Sequence, residues 1–375
     1  MDVSFLEPVF SAAGPYATVC ADVTHTTENA DTELDLRVRA VCEELSAQGA
    51  PEVVVDAVRS QLLQANDGGQ LATLRGRALV VAADGSVVLD EALADAPREA
   101  VAEWSPHPYL LPVLRQLAGR VPHVVVVADR LGADVSVATN PGRPVHEQSV
   151  EGDDFHARKV KVGGWAHNTY MHTAENQWEE NAGRVADRVN KLVAGAGARF
   201  VLVAGDVRAR QILADTVGKE VADVLVSMEE GGRAAGADRA PVELRAAELV
   251  AEHEAHDEAQ AVEQVEAASA HGLAVTGTAA VVEALRKAQV ETLVLADQPD
   301  DEQLYVGGAP LEIGVGAQDM TALGVEGAAQ VPADRALLRA AFGSDAAVVV
   351  VPRAAMPGGI PVAAVLRYTD ASTPG

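Results

Sequence analysis

The stretch His123–Ala138, HVVVVADRLGADVSVA, decides the fold of this chain. Its apolar run His123–Ala128 is typical of a buried strand, and Leu131-Gly132 predicts a turn. The residues Asp134–Ala138 then alternate between polar and apolar, as a half-buried strand does. Downstream, Arg199–Ala204 predicts a further apolar strand after an intervening helix. Strands that alternate with helices predict a mixed α/β sheet for this part of the chain.

A long polar stretch separates the predicted hairpin from that helix. We expect a loop over Thr139–Thr173 and a helix from Thr173, which is a possible N-cap, to the glycines at 195 and 197. Trp178, Val185 and Val189 follow the spacing of one helix face. A loop of this length is usually functional or disordered.

Flanking segments lie on either side of this middle part. Residues 1–119 predict an α+β domain with a strand at Ala17–Ala21, helices at Ala30–Gln48 and Pro51–Ala65, and a hairpin over Arg77–Leu89. Residues 271–375 again alternate strands and helices. The sequence therefore predicts an α/β protein of three domains, with boundaries 1–119, 120–270 and 271–375.

Composition limits the class of protein. The 375 residues hold 55 acidic against 29 basic side chains, a net charge of −26, and 48% are hydrophobic, so a large core can be buried. No apolar run approaches the roughly 20 residues that a membrane helix needs. Two cysteines, Cys20 and Cys42, are too few for a disulfide framework or a zinc site. We expect a cytoplasmic protein without a membrane contact, cofactor or metal.

The predicted loop has an unusual composition. From Phe155 to Ala174 it holds no acid, although acids dominate the chain. Cations contact phosphates, aromatic rings stack on unpaired bases, and paired glycines let backbones approach closely. A solvated loop whose charge is accidental stays open as an alternative. The predicted RNA-contacting residues are Arg158, Lys159, Lys161, Gly163, Gly164, Trp165, His167, Asn168, Tyr170 and His172.

Two stretches carry a family resemblance. KVKVGGWAHNTYMHTAENQWEENA, at 159–182, resembles the middle domain of the archaeal–eukaryotic class-1 release factors, whose loop tip carries Gly-Gly-Gln. HGLAVTGTAAVVEALRKAQVETLVLAD, at 271–297, is similar to the start of that family's third domain. The bacterial branch, which includes the Balon-like ribosome-hibernation factors and related actinobacterial proteins, is the nearest resemblance.

The resemblance implies a fold and partners. It implies a three-domain release-factor-like architecture with an RNase H-like middle domain and a ribosomal-protein-like, Pelota-type C-terminal domain. The middle loop would reach the ribosomal RNA of the A site and the peptidyl-transferase centre of the 70S ribosome. The third domain would meet a translational GTPase, elongation factor Tu in this branch. The protein would be a monomer off the ribosome.

Two departures from the family pattern refine this function. Trp165 stands at the position of the family's catalytic Gln, and an indole offers only a donor N–H. The first domain lacks the Asn-Ile-Lys-Ser motif that reads stop codons. We therefore expect no catalytic residue and no codon reading, as a hibernation or stress factor in the A site requires.

Two enzymatic alternatives remain open. A peptidyl-tRNA hydrolase of ribosome rescue would use Gln177 or a loop histidine. A metal-dependent nuclease would use Asp129, Asp134, Glu175 and Asp206, which we predict at strand or helix ends. The set His146, Asp153, His156, His167 and His172 fits no known metal-ligand spacing.

Three other features have plain interpretations. Gly68-Gly69-Gln70 is a literal Gly-Gly-Gln, but it lies on no long basic loop and is typical of a surface turn. Arg75 and Arg77 could touch RNA, or they could form a solvated edge. The acidic helix over Glu243–Glu266 is typical of a solvated connector.

Overall fold

The computed structural model describes residues 3–24, 30–64, 76–93, 96–118, 121–129, 131–138, 146–151, 165–233, 237–298 and 300–370. The chain forms two compact units. One, unit 1, joins Met1–Gly119 with Glu254–Gly375, and the other, unit 2, is Arg120–His253. A third domain that is separate from the first stays a prediction. Among the described helices, none combines the length and the apolar character that crossing a bilayer demands.

The N-terminal part of unit 1 is α+β, as predicted. Its antiparallel sheet has the order β3-β2-β1-β4, and helices α2 and α3 pack Leu34, Val54, Val58 and Leu62 against one face of it. Its elements are α1 (Glu7–Ser11), β1 (Tyr16–Asp22), α2 (Ala30–Ala47), α3 (Glu52–Gln64), β2 (Gly76–Ala82), β3 (Val87–Leu93), β4 (Val101–Ser105) and α4 (Leu111–Ala118).

Regular secondary structure continues through the proline-rich stretch at the end of this part. Strand β4 and helix α4 follow the hairpin, the last element that we predicted for residues 1–119. Pro106 and Pro108 fall between the two elements, and Pro112 is the second residue of α4. Proline is tolerated in the first turn of a helix because no backbone N–H is needed there. The prolines therefore bound these elements and do not prevent them.

Unit 2 is built on a mixed five-stranded sheet of order β7-β6-β5-β8-β9. Strands β5, β6 and β7 pair antiparallel, while β5, β8 and β9 run parallel, which is the arrangement of an RNase H-like sheet. Its elements are β5 (His123–Ala128), β6 (Gly132–Ala138), β7 (His146–Glu151), α5 (Trp165–Ala196), β8 (Phe200–Gly205), α6 (Val207–Thr216), α7 (Lys219–Ala222), β9 (Leu225–Ser227) and α8 (Ala240–Ala270), which continues into unit 1.

Helices cover both faces of this sheet. Val185, Val189 and Val193 of α5 pack with Val124 and Val126 on one face. On the other face, Val242 and Leu249 of α8 pack with Val127, Phe200 and Leu202. Successive side chains of a strand point to opposite faces, so the run of valines in β5 serves both layers. The apolar stretch HVVVVA is therefore a buried strand, as predicted, and it lies at the centre of the sheet.

The C-terminal part of unit 1 holds two sheets, of order β10-β16-β11-β15 and β13-β12-β14. The strands of the second sheet have only two to four residues, which is too short for a periodic pattern in the sequence. The elements are β10 (Ala274–Thr276), α9 (Thr278–Arg286), β11 (Val290–Ala296), β12 (Gln303–Val306), β13 (Ile313–Gly314), α10 (Ala317–Ala322), β14 (Ala329–Pro332), α11 (Ala333–Gly343), β15 (Ala347–Val351) and β16 (Val362–Leu366).

Candidate functional site

The candidate site lies in unit 2, where the chain leaves the sheet between β7 and α5. Strand β7 pairs with β6 over its whole length, with His146 opposite Val137 and Glu151 opposite Gly132. The sequence predicts loop here, because the letters HEQSVE carry little apolar signal. An edge strand can be polar, since only one of its sides pairs with the sheet.

Helix α5 begins at Trp165, eight residues before the predicted start at Thr173. The loop prediction over Thr139–Thr173 is therefore wrong for 146–151, which form β7, and for 165–173, which lie in α5. The pair Gly163-Gly164 directly precedes the helix, and glycine is a much stronger break than the imperfect capping pattern at Thr173. Five predicted loop residues are consequently helical: Trp165, His167, Asn168, Tyr170 and His172.

The basic residues of the site precede this helix. Arg158, Lys159, Lys161, Gly163 and Gly164 lie in the segment 152–164, outside the described residues. We call this segment, which joins β7 to α5, the basic segment. The prediction that these residues and the first turns of α5 contact RNA stays a prediction.

Helix α5 is held at its C-terminal half. Val185 and Val189 are buried against the sheet, and the Asn190 Oδ1 accepts a hydrogen bond of 3.0 Å from the Gly218 N–H. At 1.5 Å per residue, Trp165 lies about 30 Å along the helix axis from Val185. The described side chains that fix α5 in the core therefore lie far along its axis from Trp165.

The rise of the helix also gives the distance of Gln177 from the start of α5. A rise of 1.5 Å per residue sets Gln177 about 18 Å along α5 from Trp165. A residue at that distance does not occupy the position of a tip glutamine next to Gly163-Gly164. The backbone therefore does not support Gln177 as a substitute for the missing Gln.

Two of the carboxylates that the nuclease alternative requires form ion pairs with arginine. The Arg233 guanidinium donates to Asp129 Oδ1 at 2.9 Å and to Asp134 Oδ1 at 3.1 Å, and Arg239 also pairs with Asp134. Burial lowers the pKa of Arg233, but the two carboxylates outweigh burial and raise the pKa above its ordinary value. Arg233 lies in the glycine-rich link before α8, so its ion pairs with Asp129 and Asp134 connect this link to the β5–β6 hairpin.

Asp206, a further carboxylate of the nuclease alternative whose side chain the structure describes, has a different role. Asp206 caps α6 by accepting hydrogen bonds from the N–H groups of Arg208 and Ala209. Glu175 is on α5 and His146 on β7, and their side chains lie outside the described part. Within the described ranges, no three His, Cys, Asp or Glu side chains are placed to hold a metal ion. The observed carboxylates fit helix capping and an ion pair, and not a two-metal centre.

The remaining residues that the sequence singles out belong to unit 1, and the structure describes only some of them. Gly68-Gly69-Gln70 and Arg75 lie outside the described residues. Arg77 is 8% exposed and pairs with Asp90 at 2.6 Å, so it is neither a solvated edge nor free for RNA. Cys20 and Cys42 are both buried free thiols, as predicted.

Charge is distributed unevenly along the chain. The span 120–253 of unit 2 holds 16 basic and 20 acidic residues, whereas the rest of the chain holds 13 basic and 35 acidic residues. Nearly all of the net negative charge therefore belongs to unit 1. The unit that carries the basic segment is close to neutral, so it repels polyanions much less than the composition of the whole chain suggests.

Comparison with known proteins finds a family match for the middle part of the chain. Residues 122–271 match the family model of the bacterial archaeo-eukaryotic release factor family 2. The uncharacterized protein Rv2629 of Mycobacterium tuberculosis is 29% identical over 343 residues, which cover 90% of each chain.

Solved structures with similarity to this chain include two archaeal translation proteins. The archaeal translation termination factor aRF1 is 16% identical over 97% of this chain and 96% of its own, with a TM-score of 0.26. Archaeal Pelota, bound to the ribosome with ABCE1, is 15% identical over 97% of this chain and 93% of its own, with a TM-score of 0.38. Residues 122–271 are thus similar to the bacterial archaeo-eukaryotic release factor family 2.

Proposed function

We propose that this protein is a ribosome-binding translation factor that enters the A site of the 70S ribosome. The observation that carries the proposal is the family match over 122–271, because it spans β7, the basic segment and α5. The near-neutral charge of unit 2 supports it, since a body as acidic as unit 1 would be repelled by ribosomal RNA. The basic segment and the start of α5 would contact RNA at the peptidyl-transferase centre.

The protein would occupy this site without cleaving peptidyl-tRNA. Trp165 follows Gly163-Gly164, and its indole has no carbonyl oxygen to position a water molecule. Gln177 is about 18 Å further along α5, too far to act at the same tip. Occupation without cleavage or codon reading is the behaviour of a hibernation or stress factor in the cytoplasm.

A GTPase partner is part of the proposal. The likeness of 271–297 to the start of the family's third domain supports a contact with elongation factor Tu. These residues form β10, α9 and β11 in the C-terminal part of unit 1. Off the ribosome, we expect the protein to be a monomer.

Co-sedimentation with ribosomes tests the proposal. Purified protein is mixed with vacant 70S ribosomes and with ribosomes that carry peptidyl-tRNA, at two salt concentrations, and both pelleting and ester cleavage are followed. We expect salt-sensitive pelleting without cleavage. Replacing Arg158, Lys159 and Lys161 with Ala should weaken binding and reduce the slope of log affinity against log salt by about 2–3, because a complex with three fewer phosphate contacts releases fewer counterions when it forms.

A matched triple variant controls for charge alone. Arg59, Arg98 and Arg115 are exposed arginines of unit 1, and their replacement with Ala changes the net charge by the same amount. We expect this variant to keep the wild-type salt dependence. Equal losses in both variants would contradict the basic segment as the RNA contact, and absence of pelleting would remove the proposal. Cleavage that is lost in Gln177→Ala would support the rescue hydrolase instead.

A further inference from the structure

The N-terminal and C-terminal parts of unit 1 share one buried core. Side chains from α1, β2 and α4 lie in the same apolar cluster as side chains from α9, α11 and β15. Phe10 of α1 stacks on Phe342 of α11, with the ring centroids 4.7 Å apart. Cys20 of β1 belongs to this shared cluster, whereas Cys42 of α2 belongs to the cluster on the other face of the same sheet. The two parts therefore meet at a buried junction.

Arg335 of α11 makes polar contacts across this junction. Its guanidinium pairs with Glu103 of β4 at 2.6 Å and donates to the Ser105 hydroxyl at 2.9 Å and to the His107 carbonyl oxygen at 3.4 Å. It also lies over the Tyr109 ring, 4.9 Å from the centroid. The Arg335 side chain is only 13% exposed, so water screens these contacts weakly. We call these contacts the Arg335 clamp.

His107 lies at this clamp beside two cations. Burial lowers the pKa of its imidazole, and the positive charges of Arg339 and Arg335 lower that pKa further. A proton on the ring would add a third positive charge where the charged form is poorly solvated. The other ionisable groups around the clamp are Tyr16 and Cys20 of β1, Glu103 of β4, Tyr109, Glu312 and Asp334 of α11.

Protonation of His107 opposes the joined state. Because its pKa is lower in the folded protein than in an open form, His107 contributes stability that is complete above its ordinary pKa of about 6.5 and is lost as the pH falls below that value. Asp334 acts in the opposite direction, since burial raises the pKa of its carboxyl and the folded state therefore binds a proton more readily. His107 is thus the group that weakens the junction in mild acid.

We propose that this junction is an acid-sensitive joint, in which protonation of His107 weakens the Arg335 clamp and loosens the N-terminal part of unit 1 from its C-terminal part. At neutral pH the two parts form one body, and below about pH 6 an open form becomes more populated. The joint lies wholly within unit 1, so it does not depend on RNA binding by unit 2.

Differential labelling of the two cysteines in the full chain tests the joint. A pyridyl disulfide reagent is added without denaturant at about pH 7.5 and at about pH 5.5, on either side of the ordinary pKa of histidine. Peptide mass spectrometry follows each cysteine over hours, relative to its rate in urea at the same pH. We expect labelling of Cys20 to rise about threefold in acid, because opening exposes the shared core, whereas labelling of Cys42 stays constant.

Substitutions show whether His107 and the clamp cause this rise. His107→Asn removes the titrating group and should abolish the rise at Cys20, and His107→Gln, a second neutral replacement, should do the same. His256→Asn changes an exposed histidine of unit 1 on α8 and should leave the rise unchanged. Arg335→Met should speed labelling of Cys20 at both pH values and make the rise in acid smaller, because one of the two cations is gone.

Three outcomes would overturn the proposal. The first is labelling of Cys20 that is no faster in acid. The second is a rise that both replacements of His107 retain, because another group would then be the sensor. The third is an equal rise at Cys20 and Cys42, because acid would then unfold unit 1 as a whole and not open the junction.

Discussion

At the scale of single residues, one arginine of unit 2 pairs with two carboxylates. Arg233 has a side chain only 13% exposed, and it bridges Asp129 and Asp134. Arg239 reaches the same Asp134 from a position that is 53% exposed. The two arginines share a partner but differ in burial, so they offer a matched pair of substitutions.

Replacing Arg233 with Gln should lower the free energy of unfolding by about 2–4 kcal/mol, because Asp129 would lose its cation and Asp134 would keep only the exposed Arg239. Arg239→Gln should cost less than about 1 kcal/mol, since water screens an exposed pair. Urea unfolding followed by circular dichroism measures both values. Equal losses would show that burial does not govern this network.

Cys20 gives a second test at this scale. Burial raises the pKa of its thiol to about 12. The unfolded thiol ionises near pH 8.5, so Cys20 favours folding below that pH and this contribution is lost as the pH rises towards 12. We expect Cys20 to react with a maleimide at pH 8 only after denaturant is added. Rapid labelling of the native protein at Cys20 would contradict this burial.

At the scale of elements, the close approach of β5 and β8 depends on Gly205. Its φ is +108°, and a Cβ at this position would lie 2.1 Å from the Ala128 carbonyl oxygen. Both the backbone conformation and the close approach of the parallel strands therefore require glycine. Gly197 also has a positive φ, of +63°, but no described atom lies within 4 Å of its added Cβ.

Gly205→Ala should therefore cost more than about 3 kcal/mol of stability, because the clash adds to the backbone strain. Gly197→Ala should cost only about 1 kcal/mol, since it introduces strain alone. Chemical denaturation of both variants provides the comparison. A loss for Gly205→Ala no larger than that for Gly197→Ala would contradict the described pairing of β5 with β8.

Proline substitutions test where α5 begins. If the helix started at Thr173, Ala174 would be its first residue and would accept proline. In the structure Ala174 lies inside α5, so Ala174→Pro should cost about 3 kcal/mol and reduce the helical signal at 222 nm. Ala166→Pro, in the first turn, should be tolerated. A tolerated Ala174→Pro would restore the start predicted from the sequence.

Elements with a strong local signal could be predicted from the sequence. The apolar run of β5 and the periodic faces of α2 and α3 lie within a residue or two of their predicted positions, because burial imposes a regular pattern. Polar β7 and the two-residue β13 could not, since their pairing depends on strands distant in sequence. For the site, composition indicates the basic segment. The ion pairs of Arg233 with Asp129 and Asp134 could not be predicted, because they join residues that are distant in sequence.

At the scale of the whole molecule, the separation of charge between the two units is the main physical feature. Unit 1 carries nearly all of the negative charge, while unit 2 is close to neutral and holds the basic segment. Because phosphate contacts are made by cations, we expect unit 2 to face RNA and acidic unit 1 to disfavour other orientations. The central claim is thus that the start of α5 and the segment before it meet ribosomal RNA.

Photo-crosslinking tests this claim most directly. A photoreactive phenylalanine analogue replaces Trp165, and a control carries the same analogue at Leu36, an exposed residue of α2 in unit 1. After irradiation with 70S ribosomes, we predict that the analogue at 165 crosslinks to RNA of the large subunit near the peptidyl-transferase centre, whereas the analogue at 36 does not. No RNA crosslink from position 165 under conditions where the protein pellets with ribosomes would contradict the account.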